Sequence, residues 1–131
     1  VEITAPGELK QLEYSQRLAL QARNVVPRQA GESTGARLYR GALAGGSQAL
    51  GRRIGALAEG LRADFVVLDA AHPDLAAGTG DRWLDSYIFV TGRSAVDSVF
   101  VGGERVVHGG RHRARDVLTQ RYRSTLAGLA L

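Results

Sequence analysis

Five residues of this sequence have the types and spacing to do chemistry: His72, His108, His112, Asp64 and Asp69. His108 and His112 stand four apart, as two metal ligands on one helical face can. Gly109 and Gly110 lie between them, so no helix presents both together. A zinc ion that activates water needs about three rigidly held protein ligands, and no third histidine is spaced nearby. All three are read as surface or turn histidines; His72 simply precedes Pro73 in a loop. Paired carboxylates do acid–base work only when they face one substrate. Asp64 and Asp69 bracket the apolar run Phe65–Leu68, so as strand neighbours they point to opposite faces about 17 Å apart. They are expected to cap turns, Asp64 through backbone N–H groups of the turn that begins at Gly60. Ser15, Ser33, Ser47, Ser86 and Ser94 lack the strand–turn–helix context of a nucleophile. Gly45-Gly46 lacks the preceding strand and Lys-Ser/Thr of a phosphate-cradling loop. Tyr14 and Trp83 are read as packing residues. No position is assigned a catalytic, cofactor-binding or metal role.

The elements that would position these residues are legible in part. Thr4 can cap a first helix from Gly7 to Asn24, with Pro6 in its first turn and Glu8 on the positive end of its dipole. Pro27 marks its end. Ser33 or Thr34 caps a second helix, Ala36 to Ala44, which Gly45-Gly46 should interrupt; one more turn closes at Gly51. Phe65 to Leu68 is a strand apolar enough to be buried on both faces. Asp81 to Phe89 reads as a short helix. Val99-Phe100-Val101, Gly102-Gly103 and Arg105-Val106-Val107 read as a hairpin. A last helix begins near Asp116, where Val117, Arg121, Tyr122, Thr125, Leu126 and Leu129 recur at helical spacing. Three short strands cannot bury a sheet, so the two apolar strands are expected to pair with strands from outside this sequence.

Composition narrows the function classes. The 131 residues are 44% hydrophobic and carry a net charge of +4 and a pI near 10.1. The arginines are scattered among acids, and the densest group, Arg111-His112-Arg113-Ala114-Arg115, has no interleaved aromatics for base stacking. That argues against a nucleic-acid partner. No apolar run approaches the roughly 20 residues of a membrane span. With no cysteine, disulfides and thiolate metal sites are excluded, which suits the cytoplasm. There is no methionine and no leader-like start, so Val1 is expected to be a processing point, an artificial boundary or a break in a longer chain.

Several segments carry a resemblance. Gly55 to Asp69, in which spaced glycines and an Ala-Asp pair lead into an apolar strand, is similar to the stretch of metal-dependent amidohydrolases that follows their catalytic barrel. Val99 to Val107 looks like the matching hairpin of that superfamily's small sandwich. Leu12 to Leu18 with Arg23-Asn24, and Ser33 to Tyr39 continuing through Ala42 to Gly51, resemble the last barrel helices of its formimidoylglutamate deiminases.

The resemblance implies an α/β fold: the C-terminal part of a (β/α)8 barrel enzyme, incomplete on its own. Residues 1–51 would be the last barrel helices, 52–110 sandwich strands with an inserted short helix, and 111–131 a C-terminal helix. It implies hydrolysis of N-formimino-L-glutamate to N-formyl-L-glutamate and ammonia in histidine degradation. It implies one zinc in the full-length enzyme and none bound by this segment, since the metal's histidines and aspartate precede Val1. The partners would be the N-terminal remainder, a small-molecule substrate and a second copy in a homodimer. Only the glycines and Asp64 carry over, as structural positions. Two rivals stand beside this reading: another deaminase or hydrolase of the superfamily, of aminopurine, cytosine or chlorohydrolase-like type, and a basic, non-catalytic binding module.

Overall fold

A computed structural model describes residues 3–129. Helix α1 spans Ala5–Leu20 and opens on Thr4, whose hydroxyl accepts the Gly7 N–H at 3.2 Å. It stops four residues short of the expected end. Gln21 and Asn24 both turn left-handed there, and the buried Glu13 carboxylate captures the N–H groups of Val25 and Val26. Helix α2 spans Thr34–Leu50, capped by Ser33 on the Ala36 N–H and closed by the left-handed Gly51. It runs unbroken through Gly45-Gly46, contrary to the expected interruption. A helical glycine costs only about 1 kcal/mol relative to alanine. Burial of Ala36 and Leu38 at the same helix's start is enough to offset that.

Strand β1 (Phe65–Leu68) leads to a short 3-10 turn, Pro73–Leu75. Helix α3 covers only Arg82–Ser86; the chain then widens into a π turn over Tyr87–Thr91 and tightens into a 3-10 turn over Gly92–Ala95. Three strands follow: β2 (Val96–Val101), β3 (Glu104–His108) and the two-residue β4 (Arg111–His112). The last helix, α4, spans Arg115–Leu129.

The four strands form one antiparallel sheet in the order β1-β2-β3-β4. The expectation that β2 needs a strand from outside is overturned: it lies between β1 and β3, with Phe65 opposite Phe100 and Val66 opposite Val99, whereas β1 is the sheet's edge and pairs on one side only among the described residues. The Phe65 and Phe100 rings stack at 4.4 Å. Within this chain Val66 and Val67 are each about 40% exposed, so its own residues leave β1 partly uncovered on both faces. The β2–β3 hairpin is as expected, with Gly102 and Gly103 both at positive φ (60° and 83°), the geometry of a tight two-residue turn.

The core gathers Leu38, Tyr87 and Ile88, with Leu9, Val26, Leu68 and Val96 packed against them. It draws on α1, α2, the π turn and the sheet. Helix α3 fits against the start of α2 because Gly35 has no side chain: a Cβ there would lie 2.5 Å from the Leu84 carbonyl oxygen.

Candidate functional site

His108 closes β3 and faces Arg111 across the β3–β4 pairing; His112 is opposite Val107. Neighbouring residues on a strand point to opposite faces, so the two imidazoles lie on different sides of the sheet. His112 instead accepts the Ala114 N–H through Nδ1 at 3.1 Å.

His72 has partners that its sequence neighbourhood did not announce. Its Nδ1 accepts the Asp74 N–H at 3.3 Å, and its Nε2 lies 3.3 Å from the Ser94 hydroxyl. A serine, a histidine and an aspartate thus meet, as in a hydrolytic triad. Their hydrogens point the wrong way for one. Ser94 donates its hydroxyl to the Thr91 carbonyl at 2.8 Å. With Nδ1 taken by a backbone donor, the neutral ring carries its proton on Nε2 and cannot draw one from Ser94. The cluster ties the loop after β1 to the turn before β2.

Asp69 accepts the Ala71 N–H at 2.9 Å, the turn-capping role expected of it. Asp64 is structural too, through a different bond. Its Oδ1 accepts the Gly102 N–H at 2.7 Å, from the tip of the β2–β3 hairpin rather than from its own turn. Beside it the Gly103 N–H donates to the Ala63 carbonyl at 2.8 Å. The two bonds fasten the entry of β1 to the hairpin.

The residue that sequence reasoning missed is Glu13, which is wholly buried. Its carboxylate accepts Arg17 Nε at 2.7 Å, the Val25 N–H at 2.9 Å and the Val26 N–H at 3.2 Å. The Arg17 guanidinium in turn lies over the Tyr14 and Phe89 rings at 5.4 and 5.6 Å, themselves stacked at 5.9 Å. The four-residue spacing of Glu13 and Arg17 on one helix was the available signal. Burial made it an anchor for the α1–α2 loop rather than a surface pair.

Among the described residues, no three His, Asp or Glu side chains converge as a metal site would need. This donor set does not fit zinc. An apolar groove of about 370 Å³ lies between α2 and β1, lined by Tyr39, Leu43, Ile54, Leu57, Phe65 and Val66. Burial pushes the Tyr39 hydroxyl, and the Tyr87 hydroxyl near it, above the ordinary tyrosine range. Glu13, Asp64, Asp69, His72 and His112 each accept a backbone N–H and so position backbone.

The model of the Amidohydrolase family matches residues 5–106. This chain belongs to the amidohydrolase family. Over 88% of its length it is 45% identical to formimidoylglutamate deiminase of Pseudomonas aeruginosa. It superimposes on the crystal structure of an amidohydrolase from Brucella melitensis with a TM-score of 0.83 and 44% identity, covering 95% of the chain. The chain spans about a quarter of each of these relatives, 26% of the deiminase and 27% of the Brucella protein. The amidohydrolase match thus covers α1, α2, the inserted turns and the sheet as far as Val106 in β3. No helix among the described residues is long and apolar enough to cross a membrane.

Proposed function

We propose that this chain is the carboxyl-terminal part of an enzyme that hydrolyses N-formimino-L-glutamate to N-formyl-L-glutamate and ammonia, in histidine degradation. The observation that carries the reading is the 45% identity to a formimidoylglutamate deiminase over 88% of the chain. On this reading α1 and α2 are the last helices of a catalytic barrel. The sheet is part of a small sandwich and α4 is the terminal helix. The two-residue strand β4 occupies Arg111–His112, so the terminal helix begins only at Arg115. Zinc would supply a metal-activated water. The zinc, its ligands and the acid–base residues would lie in the part of the enzyme not represented here. The enzyme would be a cytoplasmic homodimer.

The side chains described here would then serve catalysis only by holding shape. Glu13 fixes the loop between the two long helices, and Asp64 fixes the sheet against the segment leaving α2. The test is ammonia release by the intact enzyme, with N-formimino-L-glutamate set against cytosine and an aminopurine. Turnover of the formimino compound well above the others is expected. Turnover of a nucleobase alone would move the enzyme to another deaminase of the family.

A further inference from the structure

Helix α4 is the one long element with no buried residue among those described. Leu118, Tyr122, Leu126 and Leu129 recur at helical spacing along one side of it, and they are 46–73% exposed. Arg121 and Arg123 flank that stripe on its two sides, and Arg115 sits at its start. Among the described residues no carboxylate pairs with any of the three; the helix's one acid, Asp116, is engaged by Arg111. An isolated helix of about 15 residues is marginal in water, so this one needs a packing partner.

We propose that this face of α4 docks on an apolar surface rimmed by carboxylates, carried by the rest of the same enzyme. The inference rests on the reading of the chain as about a quarter of a larger protein. A second copy's α4 is a poorer occupant, because it would set arginine rims against each other.

Hydrogen–deuterium exchange of amides 115–129 in the intact enzyme tests the proposal. Slow exchange is expected, accelerated about tenfold by the pair Arg121→Glu and Arg123→Glu and by added salt. The Arg121→Lys and Arg123→Lys pair should keep most of the protection. Exchange as fast as a free helix, or protection indifferent to charge reversal, would overturn it. So would protection that rises with protein concentration, which would mark a second copy. Absence of ammonia from formiminoglutamate with α4 still protected would fail the substrate reading alone. A gene encoding no further residues would remove the larger enzyme itself.

Discussion

The Asp64 carboxylate takes its hydrogen bond from the Gly102 N–H, 38 residues further along the chain. The bond joins the start of the sheet's first strand to the hairpin between its second and third. Arg62 lies 3.4 Å from the same oxygen, and the Asp64 side chain is about a quarter exposed. Water can therefore replace part of what the bond supplies.

Asp64→Ala should accordingly lower the stability of the intact enzyme by about 0.5–1.5 kcal/mol. Asp64→Asn keeps an acceptor oxygen and should cost less. Neither should slow turnover by the folded fraction more than a fewfold. Denaturant melts paired with initial rates check this; full stability with a rate down a thousandfold would make Asp64 a reacting group.

Glu13 should be far less tolerant. Glu13→Gln replaces one acceptor oxygen by an amide that faces donors, and should cost about 1–3 kcal/mol. Glu13→Ala leaves two backbone N–H groups and a partly buried guanidinium without their acceptor, and should cost roughly 3 kcal/mol. Faster amide exchange at Val25 and Val26 would tie the loss to the α1–α2 loop. Unchanged exchange there would show that Glu13 does not hold it.

Two glycines of α2 should respond in opposite directions. Gly35→Ala places a Cβ against the backbone of α3 and should destabilise by about 1–3 kcal/mol. Gly45→Ala meets nothing within 4 Å and should stabilise by about 0.5–1 kcal/mol, because the helix is continuous there. A loss at Gly45 would argue for a break or a covered face.

Alkaline pH should weaken the fold through Tyr39 and Tyr87, whose rings meet edge to face at 6.3 Å. Burial raises both hydroxyls' pKa values, so in the folded state they keep protons that the unfolded chain releases first. Stability is then fully present below about pH 10 and falls as pH rises through the window above it. Melting temperatures measured from about pH 9 to 11 should show this, and Tyr87→Phe should flatten the slope.

What the sequence disclosed follows the range of the forces involved. The Gly102-Gly103 hairpin, the Thr4 and Ser33 caps and the Gly51 stop are written in a few adjacent residues, and each stands where expected. The pairing of β1 with β2 is not local. Nothing near Phe65 names Phe100, 35 residues away, as its neighbour. The early end of α1 is of the same kind, decided by a carboxylate that reaches back from Glu13 to Val25. At Gly45-Gly46 the weak helix propensity of glycine yields to the packing of α2, which stays continuous. Of the candidate site, the sequence disclosed that His108 and His112 share no helical face, and they fall on opposite faces of the β3–β4 ladder. The His72–Ser94 contact and the burial of Glu13 depend on segments far apart in sequence.

The most direct measurement is ammonia release from N-formimino-L-glutamate by the intact enzyme and by its triple variant His72→Ala, His108→Ala, His112→Ala. The account predicts turnover by both, with kcat of the folded variant within a fewfold of the parent. No ammonia from the parent, or a variant that folds yet loses a thousandfold in kcat, would contradict it.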